Sequence, residues 1–170
     1  MTAAAPSTDS MKTAKAWEAA ATVCDPEIPV LTIEDLGVLR DVQVAESGAA
    51  VVTITPTYSG CPAMLVMETE ILGAMRSAGF DDVRVETVLS PAWTTDWLSD
   101  AGREKLRAYG IAPPVRASSS RQALFGKDSV DCPQCGSCNT ERVSEFGSTA
   151  CKALYRCKAC AEPFDYFKCL

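Results

Sequence analysis

Four cysteines in the C-terminal part of the chain have the spacing of metal ligands. They form two C-x2-C pairs, "CPQC" at 132–135 and "CKAC" at 157–160, with 21 residues between them. Each pair places two thiolates on one tight turn, and two such turns can close a tetrahedron around a single zinc ion. We therefore predict that one structural zinc is bound by four thiolates, with disulfide bonds as the weaker alternative. The predicted ligands are Cys132, Cys135, Cys157 and Cys160.

Three more cysteines lie in the same part of the chain. Cys138 extends the first pair to C-x2-C-x2-C, a pattern that also occurs in ferredoxin-type iron–sulfur binding. The C-x3-C-P continuation of that pattern is missing, so a resident cluster here is the secondary interpretation. On the zinc interpretation Cys138, Cys151 and Cys169 are spare thiols, and the pattern assigns no role to Cys138 or Cys169.

A separate cysteine, Cys61, stands in the stretch "TYSGCPAM" at 57–64. Pro62 favours the start of a helix, which would place Cys61 at the N-cap, where the helix dipole stabilises a thiolate and lowers its pKa. The residues leave three roles open for Cys61: a nucleophile, a ligand of a metal or cluster, or a small buried side chain. Asp25 and Glu27 in "DPEIP" are equally open, as turn and loop residues or as functional carboxylates.

Composition excludes several classes of protein. The chain contains no histidine, which rules out a Ser-His-Asp or Cys-His pair and a ferritin-like di-iron site with Glu-x-x-His pairs. It has no Gly-rich nucleotide loop, so it is not a nucleotide-dependent reductase. Residues 1–130 carry 17 acidic and 11 basic side chains, and nucleic-acid binding is not expected of an acidic chain without a basic patch.

Neither a leader nor a membrane helix is expected. The N-terminus lacks the apolar region of a secretory signal. The longest uncharged stretch, residues 47–67, is interrupted by Pro56 and Pro62 and is not predicted to be a transmembrane helix. We expect a cytoplasmic protein whose clustered cysteines stay reduced, with no membrane partner.

The hydrophobic pattern predicts an α+β fold. Helices are expected at 12–24 and 62–78, a β-hairpin at 37–57, a third strand at 82–89 and a short helix within 94–110. Residues 112–130 mix proline, serine and scattered charge and are predicted to be a linker. The expected domains are therefore 1–111 and 131–170, and the second is too short to fold on an apolar core alone.

Two stretches of the N-terminal part resemble a known family. "DPEIPVLTIEDLGVLRDV" at 25–42 and "VTITPTYSGCPAM" at 52–64 are similar to the SufT-like domain of iron–sulfur cluster assembly, and the likeness covers roughly residues 12–110. The full order of motifs along the chain, which adds "LSPAWTTDW" at 89–97 and the cysteine-rich tail, resembles the PaaD family, whose members are accessory subunits of phenylacetyl-CoA epoxidase. The resemblance implies a small α/β assembly domain followed by a zinc ribbon.

The same resemblance implies roles for particular residues. The reactive cysteine of the family falls on Cys61, and its acidic loop falls on Asp25 and Glu27. The threonine-rich segment that precedes the reactive cysteine in the family falls on Thr55 and Thr57. The stretch "STACKALY" places Cys151 at a position that is characteristic of the family. Because one thiolate cannot saturate a cluster, further ligands must come from Cys24, Cys151, a second chain or a client.

The resulting hypothesis is a non-catalytic accessory subunit in aerobic phenylacetate degradation. It would assist the maturation of iron–sulfur or iron centres in phenylacetyl-CoA epoxidase subunits, above all the iron–sulfur reductase component, while carrying zinc and transiently a cluster or iron. A homodimer is left open. The alternatives are a thiol-dependent enzyme that uses Cys61, which lacks a nearby resolving C-x-x-C partner, and a purely structural zinc-ribbon adaptor.

Overall fold

The computed structural model describes residues 8–114 and 130–168. The chain divides into two compact units, Met1–Trp93 and Thr94–Leu170. The predicted linker at 112–130 lies mostly outside the described residues, and Cys169 lies outside them as well. The domain boundaries expected at residues 111 and 131 therefore stay a prediction.

The first unit contains two helices and three strands in the predicted order. Helix α1 spans Thr8–Ala21, β1 Leu39–Val44, β2 Ala50–Ile54, α2 Ala63–Ser77 and β3 Val83–Thr87. Helix α1 ends before the expected residue 24 because the next residues pair elsewhere: Cys24 forms an isolated antiparallel bridge with Thr32. None of the helices in the described part of the chain is long and apolar enough to cross a membrane.

The first unit is built on a three-stranded sheet in the order β1-β2-β3. Strands β1 and β2 form the predicted antiparallel hairpin, whereas β2 and β3 are parallel, with Ile54 paired to Thr87. A parallel pair needs a crossover, which α2 provides. The side chains of Val52, Ile54, Ile71 and Met75 are fully buried between the sheet and the helices. The carboxyl ends of β2 and β3 consequently meet at one edge of the sheet.

The second unit joins a short helical segment to a four-stranded sheet. After a 3₁₀ turn at Thr95–Trp97, α3 spans Asp100–Ala108, and the strands are β4 Ile111–Ala112, β5 Thr140–Ser144, β6 Lys152–Cys157 and β7 Pro163–Phe167. The sheet order is β4-β7-β6-β5. Strand β4 runs parallel to β7, with Ile111 paired to Asp165, so the last residue before the predicted linker and the first residue within it complete the sheet of the C-terminal cysteines.

The segment around α3 is held by an N-cap and by a buried arginine. The Ser99 side chain accepts a hydrogen bond of 2.9 Å from the backbone N–H of Gly102 and caps the helix. The guanidinium of Arg103, which is only 5% exposed, donates to the backbone carbonyls of Thr95 and Pro114. These bonds tie both ends of the segment to α3 and deliver β4 to the edge of the sheet.

Candidate metal centre and the Cys61 site

The four predicted metal ligands are brought together. The sulfur atoms of Cys132, Cys135, Cys157 and Cys160 all lie within 4.8 Å of one another. Cys132 Sγ is 3.8 Å from Cys160 Sγ, and Cys135 Sγ is 3.6 Å from Cys157 Sγ. Since Zn–S bonds are about 2.3 Å, the edge of a tetrahedral ZnS₄ site is about 3.8 Å. The four residues therefore fit a single tetrahedral ion.

The two cysteine turns are built alike. The backbone N–H of Cys132 donates to the Ser137 carbonyl at 3.0 Å, and that of Cys157 donates to the Glu162 carbonyl at 2.9 Å. The residue after the second cysteine of each turn is left-handed, Gly136 with φ 72° and Ala161 with φ 65°. Across the described residues Ala161 is the only non-glycine with a positive φ. A left-handed backbone at a residue with a Cβ, such as Ala161, costs roughly 1 kcal/mol of conformational strain.

Backbone amides stabilise a thiolate inside this cluster. Hydrogen bonds to the Cys157 sulfur, the largest from the N–H of Cys160 and smaller ones from the Ala159 N–H and the thiols of Cys135 and Cys160, outweigh burial and lower the pKa of Cys157 to about 6. Its side chain is fully buried. Because metal ligands are thiolates rather than thiols, the turn is prepared to present the charged form of Cys157.

Two further cysteines of the second unit stand outside this cluster. Cys138 is exposed and does not belong to the group of four, which gives no support to a ferredoxin-like C-x2-C-x2-C site. Cys151 is buried, with its sulfur 3.1 Å from the Thr149 hydroxyl. A small apolar core underlies the metal cluster, in which the rings of Tyr155 and Phe164 stack with centroids 5.9 Å apart.

Cys61 lies just before α2 rather than at its N-cap, the position expected from the sequence. The N-cap is Pro62, and no side chain caps the helix. The Cys61 N–H donates to the Tyr58 carbonyl at 3.2 Å, while its own carbonyl accepts from the Met64 N–H at 3.4 Å. The side chain is half-buried, next to the exposed residues Ser59 and Gly60.

The pKa of the Cys61 thiol is raised, so the expectation of a lowered value is wrong. Burial is the largest cause, and the carboxylates of Glu27 and Asp25 raise it further. Hydrogen bonds from the Ala63 amide and the Tyr58 side chain oppose the increase without cancelling it. At neutral pH the thiol is therefore protonated. Tyr58 was not singled out from the sequence, although it precedes Cys61 by only three residues.

The acidic loop lies close enough to Cys61 for its carboxylates to act on the thiol, although more than 30 residues separate them in sequence. Asp25 also has the structural role that the sequence left open. Its Oδ1 accepts hydrogen bonds from the amides of Glu27 at 2.7 Å and Ile28 at 2.8 Å, which fixes the turn. One carboxylate is thereby held rigid, while Glu27 stands beside it in the same turn.

The other predicted site residues are placed as follows. Thr57 is half-buried in the loop between β2 and α2. Thr55, at the start of that loop, is 1% exposed, and its hydroxyl has no hydrogen-bond partner within the part of the chain that the structure describes. Cys24 is half-buried, and its sulfur lies 3.7 Å from the Thr22 carbonyl, its hydrogen-bond acceptor.

Two family models match the chain. One, described as an iron–sulfur cluster assembly protein, covers residues 13–87, and the other, described as the PaaD zinc beta ribbon domain, covers residues 116–168. A protein of Escherichia coli (strain K12), provisionally named as a subunit of 1,2-phenylacetyl-CoA epoxidase, is 53% identical over 154 residues, which are 91% of each chain. The chain therefore belongs to the PaaD family.

The first unit also has relatives of its own. An Fe-S protein maturation auxiliary factor of Porphyromonas gingivalis is 35% identical over 80 residues, 46% of this chain and 75% of the relative. The crystal structure of a domain of unknown function from Bacillus anthracis, DUF59, matches with a TM-score of 0.55 and 25% identity, over 58% of this chain and 94% of that one. These likenesses confirm the expected assembly-type fold of the N-terminal part.

Proposed function

We propose that this chain is a non-catalytic accessory subunit of a phenylacetyl-CoA epoxidase system. It handles iron or an iron–sulfur cluster at Cys61 and passes this cargo to an epoxidase partner, with the iron–sulfur reductase component as the first client. Membership of the PaaD family and the likeness to Fe-S maturation auxiliary factors support this proposal.

The single observation that carries the proposal is the action of Asp25 and Glu27 on the Cys61 thiol. The carboxylates of one loop thus act on the half-buried thiol of another, although the three groups are not gathered as preformed metal ligands within the described residues. All three groups become negative when the thiol ionises, so a cation is the partner that relieves their repulsion. The thiol stays protonated until iron approaches, which suits transient rather than permanent binding.

Chemistry based on a permanently activated thiolate is less well supported. A thiol-dependent enzyme needs a substantial fraction of thiolate at neutral pH, and the pKa of Cys61 is raised. The chain also contains no histidine to act as a base. We therefore place iron or the cluster as cargo at Cys61, with the missing ligands supplied by Cys24, by the client or by a second copy of the chain.

The four clustered cysteines have a different role in this proposal. Cys132, Cys135, Cys157 and Cys160 hold a structural zinc ion, which closes the two turns and contributes to folding without taking part in a reaction. Their fit to a tetrahedral site supports this assignment. The ribbon carries no cargo, so the two metal functions are separable by mutation.

A transfer experiment tests the proposal. The chain is loaded with iron and sulfide without oxygen and mixed with the purified apo reductase component, and the visible absorption and electron-transfer activity of the reductase are followed. We expect Cys61→Ser to abolish transfer and Cys138→Ser, which removes an exposed thiol outside both sites, to preserve it. Equal transfer by Cys61→Ser would overturn the proposal and favour a structural adaptor.

A further inference from the structure

Three large aliphatic side chains of the first unit are exposed, two of them within five residues of Cys61 in sequence. Leu65 and Val66, in the first turn of α2, are 72% and 43% exposed, and Leu89, which follows β3, is 59% exposed. We call these three residues the edge patch. One exposed leucine is common on a protein surface, but several at one edge beside a candidate site point to a contact surface.

The fold brings the members of the edge patch to the same edge. Because β2 and β3 are parallel, the loop that leads to α2 and the segment after β3 start at the same side of the sheet. The Val88 amide donates to the Ile54 carbonyl at 2.9 Å, continuing the ladder beyond β3. The Thr87 hydroxyl is 3.1 Å from Glu68 Oε1, one turn along α2 from Leu65. The segment after β3 thus runs beside the first turns of α2.

The segment that carries Leu89 is anchored rather than loose. Four residues later the indole N–H of the buried Trp93 donates to the Leu36 carbonyl at 2.8 Å. Leu89 is therefore held between a strand and an anchored tryptophan, and its exposure belongs to the fold of this unit. A pre-formed surface of this kind can bind a partner at a lower cost in conformational entropy.

The sequence segments that contain the edge patch, Cys61 and the acidic loop carry charge of one sign. The segments 25–36, 55–70 and 86–93 contain seven acidic residues and no lysine or arginine. Residues 8–93 as a whole carry 13 acidic and five basic side chains, whereas the described residues from 94 onward carry eight of each. The acidic excess is therefore confined to the unit with Cys61, and it favours a partner with basic residues.

We propose that the edge patch is the docking surface for the client, and that it receives a client segment in which aliphatic side chains are flanked by lysine or arginine. The inference rests on the proposed function, since it names the surface by which the client reaches Cys61. Leu65 follows Cys61 by four residues, and the exposed residues Gly60 and Pro62 flank the thiol in sequence. A segment seated on the patch covers Cys61 and shields the transferred cargo from water.

A binding titration tests the docking surface. The full chain is titrated calorimetrically with the purified apo reductase component, as wild type, Leu65→Glu and Leu89→Glu. Each substitution is expected to weaken binding about tenfold or more, because it places a charge in an apolar contact. The matched control is Val143→Glu, at a residue of β5 that is 57% exposed and far along the chain from Cys61; its affinity should stay within about twofold of wild type.

Salt dependence tests the chemistry of the partner. Raising sodium chloride from about 0.05 to about 0.5 M should weaken wild-type binding, since surface attraction between acidic and basic groups is screened over this range. Binding that strengthens or stays constant with salt would overturn the basic character assigned to the client segment.

The design separates this inference from the proposed function. Loss of transfer in Cys61→Ser tests the proposed function, whereas the affinities of Leu65→Glu and Leu89→Glu, measured without cargo, test the docking surface. Unchanged affinity of Leu65→Glu and Leu89→Glu, or no binding by wild type at about 0.1 mM, overturns the docking surface even if Cys61 is essential for transfer. Sedimentation velocity tests whether a second copy of the chain occupies the edge patch instead. A wild-type dimer that Leu65→Glu dissociates, with client affinity unchanged, would assign the patch to that second copy and also overturn the inference.

Discussion

Gly136 and Ala161 occupy the same position in the two cysteine turns, directly after the second cysteine, and both have left-handed backbones, with φ 72° and 65°. Glycine adopts this conformation freely, whereas alanine is strained there by its Cβ. A Cβ built on Gly136 would meet no atom within 4 Å, so the cost of a side chain at this position comes from the left-handed backbone and not from a clash.

Replacing Ala161 by glycine should stabilise the second unit. We expect Ala161→Gly to raise the free energy of unfolding by about 0.5–1 kcal/mol, and Gly136→Ala to lower it by a similar amount, because the left-handed strain outweighs the extra freedom that glycine gives the unfolded chain. The measurement is urea unfolding of the zinc-loaded chain. Ala159→Gly, in the same turn but without a positive φ, serves as the control and should not stabilise. A loss of stability in Ala161→Gly would contradict this interpretation.

Removal of the metal should unfold the cysteine-rich sheet. Chelation is expected to abolish the near-ultraviolet dichroism of the stacked Tyr155 and Phe164 rings, since this small sheet depends on the ion that joins its turns. Cys157→Ser should behave like the chelated chain and lose zinc in a metal assay. Cys138→Ser should keep it. Zinc retained in full by Cys157→Ser would show that the clustered sulfurs are not its ligands.

Alkylation of Cys61 should reveal its raised pKa. Iodoacetamide labelling of the Cys61 peptide, followed by mass spectrometry across a pH series, is expected to reach half its maximal rate above the pH of an ordinary cysteine. Glu27→Gln should shift the midpoint to lower pH, because removing a negative charge favours the thiolate.

Two further substitutions serve as controls for the Glu27→Gln shift, one expected to move the midpoint the other way and one expected to leave it unchanged. Tyr58→Phe removes a hydrogen bond that lowers the pKa of Cys61, so its midpoint should move to higher pH. Glu34→Gln alters an exposed carboxylate that bonds to the Trp17 indole, and it should leave the midpoint unchanged. A Glu27→Gln profile that superimposes on wild type would show that the acidic loop does not act on the thiol.

The buried hydroxyl of Thr55 makes a further prediction. In the described part of the chain this hydroxyl has no hydrogen-bond partner, and an unpaired buried polar group is destabilising. Thr55→Val, of nearly the same shape, is therefore expected to raise the free energy of unfolding by about 1 kcal/mol. The control is Thr53→Val, at a half-buried position in β2 two residues before Thr55. A clear loss of stability in Thr55→Val would show that the hydroxyl is bonded after all.

Local patterns in the sequence predicted the elements well. Helix α2 was expected at 62–78 and spans Ala63–Ser77, because its apolar residues recur with helical spacing and Gly79 ends it. The four clustered cysteines were predicted because the C-x2-C spacing itself dictates the turn. In both cases the signal lies within a few consecutive residues.

Features that depend on distant residues were not predictable. The pKa of Cys61 follows from burial and from carboxylates more than 30 residues away, neither of which the N-terminus of α2 could reveal. The pairing of Ile111 with Asp165 joins residues 54 apart, and a two-residue strand leaves no periodic signal. The exposure of Leu65 depends on which face of α2 the sheet covers, and the exposure of Leu89 depends on how the segment after β3 leaves the sheet.

The central claim is that Cys61 holds iron cargo while the clustered cysteines hold zinc. The most direct measurement is the content of iron, acid-labile sulfide and zinc per chain, after loading without oxygen, for wild type and Cys61→Ser. The account predicts that wild type takes up iron that Cys61→Ser does not, with zinc equal in both. Equal iron in the two proteins would contradict it and place the cargo elsewhere in the chain.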